Sequence, residues 1–164
     1  MTQRYPKPNA LKWLWLSALV VVLDQVSKWY FVENFQLYER RAVFDGFFDW
    51  TLAHNYGAAF SFLSDAGGWQ RWFFTVLAIV ISLVLCEWLR RLARNDLPEA
   101  LPLALIIGGA IGNVIDRLHH GYVIDFILVY YQQWSWPAFN VADSAITCGA
   151  VALILFSFRS SSKL

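Results

Sequence analysis

Four long apolar segments alternate with shorter polar ones along this chain. They cover residues 10–31, 69–89, 97–115 and 141–158. A helix needs roughly 20 apolar residues to cross the hydrocarbon core of a bilayer, so the pattern predicts four membrane-spanning helices in one membrane domain, residues 1–164. No small-residue cleavage site follows the first segment, which we therefore predict to be an uncleaved span and not a signal peptide.

The polar stretch between the first two spans, residues 33–68, is too aromatic for a disordered loop. Asp45-Gly46 lies between two strand-like runs, residues 41–44 and 47–52, and such a pair favours a two-residue turn with positive φ at both positions. We predict a hairpin here and a small β-sheet resting on the membrane surface. The expected fold is an all-α integral membrane protein with four spans and an extracytoplasmic β-rich region at about 33–68.

The composition agrees with a membrane protein. Hydrophobic residues make up 58% of the chain and charged residues 15%, with a mean hydropathy of +0.43, whereas a soluble domain carries about 25% charged residues. The net charge is only +1 and the basic residues are dispersed, which argues against nucleic acid as a partner. Cys86 and Cys148 lie in apolar segments and predict small buried hydrophobes, not a disulfide framework.

One face of the third span is small or polar. Gly109, Gly112, Asn113 and Asp116 follow one another at helical spacing, and Gly108 forms a small-xxx-small pair with Gly112. Such a stripe is predicted to face protein or water and not lipid.

Several other polar residues allow two interpretations each. Asp24 and Lys28 share a helix face, and they are either a pair that reaches towards the membrane surface or support for a site. Asn55 is either a turn residue or a ligand, beside a Gly57 that permits close approach of a backbone.

The start of the fourth span has the same ambiguity. Asn140 and Asp143 fit the N-cap and N3 positions of a variant capping box, which would be purely structural. Asp143 also lies a turn inside a membrane span, where an acidic residue is a candidate functional group.

The distribution of basic residues predicts the topology. Eight lie at the termini and between spans two and three, and five lie in the other two loops and at the end of the first span. By the positive-inside rule both termini are cytoplasmic, and the polar residues converge at the outer face. These residues are Asp24, Asn55, Asn113, Asp116, Arg117, Asp125, Asn140 and Asp143.

Five blocks of sequence, in this order, resemble those of the bacterial lipoprotein signal peptidases, also called signal peptidase II. The blocks are DQVSK at 24–28, NYGAAF at 55–60, GGAIGNVIDR at 108–117, GYVIDFI at 121–127 and FNVADSAI at 139–146. The resemblance covers essentially the whole chain. It implies a monomeric, cofactor-free aspartyl endopeptidase of the bacterial cytoplasmic (inner) membrane, with its active site towards the outer face. The implied partners are membrane lipid and diacylglyceryl-modified prolipoproteins, whose signal peptides are cut on the N-terminal side of the lipidated cysteine.

The resemblance also assigns residues. It makes Asp125 and Asp143 the catalytic pair. Substrate-binding or supporting roles fall on Asn55, Gly57, Gly108, Asn113, Arg117, Asn140, Ala142, Asp24, Lys28 and Asp116. It assigns nothing to His119 and His120.

The chemistry of two acids agrees with this assignment. Two neighbouring carboxylates can share one proton, so that one activates water while the other protonates the leaving amine. A small proton-coupled transporter or channel is the main alternative, because intramembrane acids also mark ion paths; the absence of a repeat between spans argues against it. A metallopeptidase using His54, His119 and His120 is a weaker alternative, since no H-E-x-x-H motif occurs. No metal site is therefore expected.

Overall fold

The computed structural model describes residues 9–57 and 68–161. Its helices are α1 (Leu14–Asn34), preceded by a 3-10 turn at Ala10–Trp13, α2 (Trp69–Arg91), α3 (Leu97–His119) and α4 (Val141–Ser161). Its strands are β1 (Arg40–Phe44), β2 (Phe48–Asn55), β3 (Val123–Tyr131) and β4 (Trp134–Ser135). Within the described residues, four helices are long and apolar enough to cross a membrane, which confirms the predicted number of such helices. α3 runs past its predicted end at 115 and thus holds Asp116 and Arg117 on its last turn.

α3 is the central helix and packs against α1, α2 and α4. Its glycines make this possible, because a Cβ at Gly108 would lie 2.8 Å from the Ser17 carbonyl oxygen of α1. A Cβ at Gly109 would collide with the Ala142 carbonyl of α4, and one at Gly112 would lie 2.6 Å from Asp24 Oδ2. The prediction that this stripe faces protein is confirmed.

The predicted hairpin is present, but the predicted turn is wrong. Phe44 pairs with Phe48, so three residues and not two connect β1 to β2. The Phe47 amide donates to the Phe44 carbonyl at 3.0 Å, and in this turn only Gly46 has a positive φ, of 79°. That is the third position of a type II turn, where glycine is preferred.

β3 is a strand that the sequence did not reveal. The four strands pair in the order β1-β2-β3-β4, all antiparallel, so the sheet also includes residues between α3 and α4. No strand is predicted from the sequence at residues 123–131, because their partner β2 lies far away along the chain and a short continuous apolar run is ambiguous by periodicity alone.

The sheet rests on the C-terminal end of α1 through an aromatic cluster. Phe31 stacks on Phe126 of β3 with ring centroids 4.3 Å apart, and Leu52 and Ile124 are buried beside them. We call the part of the bundle next to the sheet the sheet end. It contains the end of α1, the start of α2, the end of α3 and the start of α4.

Candidate active site

Asp125 and Asp143 come from different elements that meet at the sheet end. Asp125 lies on β3, opposite Ala53 of β2, and Asp143 lies in the first turn of α4. The segment before α4 folds back on β3, since Phe139 donates its amide to the Ile127 carbonyl at 3.0 Å and accepts from the Ile127 amide at 2.9 Å. This return places the start of α4 beside the middle of β3.

Asn140 joins the two aspartates. Its Oδ1 accepts from the Asp143 backbone amide at 2.8 Å, which is the N-cap interaction, and its Nδ2 donates to Asp125 Oδ1 at 2.7 Å. Asp143 does not complete a capping box with Asn140; its Oδ1 accepts from Asn113 Nδ2 at 2.8 Å. Asn140 therefore combines the structural and the site interpretations of its sequence.

Asn55 also has both of the roles considered for it. Its Oδ1 accepts from the Gly57 amide at 3.1 Å, as in a turn, and its Nδ2 donates to Asp125 Oδ2 at 3.0 Å. Both oxygens of Asp125 thus receive a hydrogen bond from an asparagine side chain. Residues 58–60 of the NYGAAF block lie outside the described residues.

The environment of Asp125 favours its neutral form. Its exposed fraction is only 2%, and burial raises the pKa of this carboxyl, with the negative charge of Asp143 acting in the same direction. Hydrogen bonds from Asn55 and Asn140 act against that shift of the pKa. Two carboxyl groups in such surroundings can share one proton, which is the arrangement that acid–base hydrolysis requires.

A salt-bridged group of three side chains lies close to the aspartate pair. It consists of Asp24, Lys28 and Asp116, and we call it the buried ion cluster. Lys28 Nζ lies 2.7 Å from Asp24 Oδ2 and 2.8 Å from Asp116 Oδ2, and all three side chains are at most 2% exposed. The interpretation of Asp24 and Lys28 as a pair reaching for the membrane surface is therefore wrong. The reason is Asp116, a partner from another helix that the sequence could not connect to them.

Gln25 is a member of this network that sequence reasoning missed. Its Nε2 donates to Asp116 Oδ1 at 2.8 Å and to Asp24 Oδ2 at 3.2 Å. The available signal was a polar side chain next to Asp24 within an apolar span.

A cavity of about 600 Å³ opens beside Asp143. Its polar part is formed by Asn55, Asn113, Arg117, Asp143, Ser144 and Thr147, and its less polar part by Val123, Trp136, Pro137, Ala138, Phe139, Ile146 and Cys148. Gly57 also lines it, whereas Gly108 and Ala142 do not and act in helix packing. An extended peptide with a polar backbone and apolar side chains suits such a cavity.

The histidines lie apart from the aspartate pair. The ring centroid of Tyr122 lies 3.9 Å from that of His54 and 5.6 Å from that of His120, so both histidines stack on this tyrosine. His54 follows Ala53 and precedes Asn55, so strand alternation directs it to the opposite face of the sheet from Asn55. In the described parts of the chain, no group of three His, Cys, Asp or Glu side chains is placed to hold a metal ion.

Known proteins match this chain over nearly its full length. A model of the signal peptidase II family matches residues 16–159. The lipoprotein signal peptidase of Pseudomonas syringae pv. tomato is 57% identical over 151 residues, covering 92% of this chain and 87% of the relative. That of Xanthomonas campestris pv. campestris is 58% identical over 156 residues, covering 95% and 93%. A solved bacterial membrane enzyme is similar with a TM-score of 0.85 and 28% identity, covering 98% of this chain and 96% of that one.

Proposed function

Because this chain belongs to the signal peptidase II family, we propose that it is a multi-pass protein of the bacterial inner membrane that removes signal peptides from prolipoproteins. The relatives named as lipoprotein signal peptidases support this activity, and nothing among them supports the alternative of a transporter or channel. The proposal covers the whole chain, since the relatives are matched over most of their own length.

Asp125 and Asp143 are the proposed catalytic residues. The observation that carries the proposal is that two carboxyl groups from separate elements are hydrogen-bonded by the side chains of three asparagines, and that one of them, Asp143, lines the cavity. One carboxylate takes a proton from water as the water oxygen attacks the scissile carbonyl carbon. The other carboxyl gives its proton to the leaving nitrogen as the carbon–nitrogen bond breaks.

Arg117 is the proposed partner of the charge that develops on the substrate. It lines the cavity together with Asp143, and its Nη1 lies 3.4 Å from the Asn113 carbonyl oxygen, so it is held on the polar side. A fixed guanidinium in a cavity of low polarity stabilises an oxyanion of the tetrahedral intermediate.

The lipid of the substrate is proposed to remain in the bilayer during cleavage. Thr147 and Cys148 line the cavity from α4 and are also exposed on the helix surface, where α4 would face lipid. A diacylglyceryl-modified cysteine could therefore bring its peptide to Asp143 without leaving the membrane. We expect the enzyme to cut on the N-terminal side of that cysteine and to act as a monomer.

The proposed orientation places both termini in the cytoplasm and the sheet end outside. Arg90 and Arg91, which end α2, and Arg94 just after it support this orientation, because they lie at the end of the bundle opposite the sheet. A reporter fused at Asp96 should give a cytoplasmic signal, and an external signal would refute this orientation.

The test of the proposed function is cleavage by the pure protein in detergent. A diacylglyceryl-modified prolipoprotein should be cut, and the same precursor without its lipid should be cut far more slowly. EDTA should leave the rate unchanged, because the two carboxyl groups supply both the acid and the base. Equal rates on the two precursors would contradict the lipid requirement, and loss of activity in EDTA with recovery in zinc would contradict the aspartyl mechanism.

A further inference from the structure

The buried ion cluster is bonded to the backbone directly beside each proposed catalytic residue. Asp24 Oδ1 accepts from the amide of Ala142, the residue before Asp143, at 2.9 Å. Asp116 Oδ2 accepts from the amide of Ile124, the residue before Asp125, at 3.0 Å. One carboxylate of the cluster thus fixes the start of α4 and the other fixes β3.

Lys28 connects these two attachments and adds a third. Besides its salt bridges to Asp24 and Asp116, its Nζ donates to Asn113 Oδ1 at 3.1 Å. An ammonium group can only donate, so the oxygen of the Asn113 amide must face Lys28. The Asn113 Nδ2 group therefore faces Asp143 Oδ1, at 2.8 Å.

The other two asparagines are oriented by the same rule. Behind Asn140 the obligate donor is the Asp143 amide, and behind Asn55 it is the Gly57 amide. All three asparagines consequently present N–H groups to the carboxyl pair. These N–H groups donate to both oxygens of Asp125 and to Oδ1 of Asp143. Within the described residues, no group donates a hydrogen bond to Asp143 Oδ2.

We propose that Lys28 is a positioning residue for the hydrolysis, which sets the placement of Asp125 against Asp143 and directs the Asn113 N–H to Asp143. Lys28 does not touch substrate in this arrangement, because its side chain is 2% exposed and does not line the cavity. The inference rests on the proposed function, since it assigns a role within that reaction.

Lys28→Met is the direct test, with kinetics measured on the diacylglyceryl-modified prolipoprotein. Loss of the ammonium frees Asn113 to turn its carbonyl oxygen towards Asp143 and releases two attachments. A misplacement of about 1 Å can cost on the order of 100-fold in rate, so kcat should fall by about 100-fold. KM should change by less than about 3-fold, because no residue that lines the cavity is substituted. The acid limb of the pH–rate profile should move to higher pH, since both the Lys28 charge and the Asn113 hydrogen bond favour the ionised pair.

A second variant separates positioning from folding. Lys28→Met leaves two buried carboxylates without their cation, so the same change is also made together with Asp24→Asn and Asp116→Asn, which removes the charges of the whole cluster. The folded triple variant should still show a fall in kcat of at least about 10-fold with KM nearly unchanged. Arg90→Met is the matched control, since it removes one exposed cation from an ion pair far from the site, and it should leave kcat and the acid limb as they are.

The outcomes are decisive in both directions. A folded triple variant with the kcat of the unmodified protein would overturn the positioning role. So would a Lys28→Met protein whose kcat falls only in proportion to the fraction unfolded and whose acid limb does not move. If the unmodified protein fails to cleave the prolipoprotein, the proposed function itself fails, which is a different result from equal cleavage by all variants.

Discussion

Two ion clusters among the described residues have nearly the same contact distances and very different surroundings. In the buried ion cluster Lys28 lies 2.7 and 2.8 Å from its two acids. At the opposite end of the bundle, Glu87 lies 2.6 Å from Arg90 and 2.7 Å from Arg91, a group we call the exposed ion cluster. Its side chains are 41–73% exposed, compared with 0–2% in the buried ion cluster. Contact distance alone therefore says little about what an ion pair contributes.

The two clusters also differ in what they hold. The exposed ion cluster joins residues three and four apart on one helix, so its loss affects only the end of α2. The buried ion cluster joins α1 to α3 and bonds to the backbone at Ala142 and Ile124. Solvent screens the first, whereas a charge left alone in the second has no water to replace its partner.

The largest expected effect is on the rate of cleavage, and it comes from substituting Asp125 and Asp143, two acids at the sheet end that belong to neither ion cluster. Asp125→Asn and Asp143→Asn should each lower the rate of prolipoprotein cleavage by about 100- to 10,000-fold, because each removes one member of an acid–base pair. Stability should change little or rise, since repulsion between two close carboxyl groups is relieved. The measurements are turnover in detergent and the thermal unfolding midpoint.

Asp45→Asn is the control for that pair, because Asp45 lies in the exposed turn between β1 and β2. It should cleave at the normal rate. Normal cleavage by Asp143→Asn would instead disprove the assignment of the catalytic pair.

The second effect is on stability and compares the clusters directly. Lys28→Met should lower the free energy of unfolding by about 3–5 kcal/mol, because breaking a buried ion pair leaves an uncompensated charge. Arg90→Met should not change the unfolding midpoint measurably, since its pair is screened by solvent. Thermal and denaturant unfolding in the same detergent would show this difference. Equal losses of stability in the two variants would mean that burial does not determine how much an ion pair contributes to the free energy of unfolding.

The smallest effect is a pH dependence of stability that arises from Asp125. Burial raises the pKa of this carboxyl in the folded protein, so its contribution to stability is complete below the ordinary carboxyl pKa and is lost as pH rises through the raised value. The side-chain amide of the Asp125→Asn variant cannot ionise, so this variant should not lose stability in this way as the pH rises. The stability of the variant relative to the unmodified protein should therefore increase with pH, by at most about 1.4 kcal/mol per unit. Curves of stability against pH that run parallel for the Asp125→Asn variant and the unmodified protein would contradict this prediction.

Much of the fold could be predicted because membrane spans are a local property of sequence. The start of α2 at Trp69 and of α4 at Val141 agree with the predicted bounds. Pairing between distant segments is not local, which explains why β3 was missed although its residues had been noted. The turn at Gly46 failed for a smaller reason, since the same Asp-Gly pair fits both a two-residue and a three-residue loop.

The sequence predicted most of the residues of the candidate site, but not which of their atoms contact one another. Asn55, Asn113 and Asn140 were named from sequence, but which atom each one presents follows only from the donor behind it. Gln25 was not named, because a polar residue between Asp24 and Lys28 gives no sign of a partner 91 residues away.

The bond from Ala142 to Asp24 has a consequence for how the protein is made. Its two residues are 118 positions apart, one in the first span and one at the start of the last. At a synthesis rate of about 5–20 residues per second, the ribosome needs about 6 to 24 s to reach Ala142 after it has made Asp24. Throughout that interval α1 is already made while the start of α4 does not yet exist, and Asp116 is missing for most of it. Until the later helices are made, the polar side chain of Asp24 therefore has its partners on α1 itself, with Lys28 as the group that neutralises its charge.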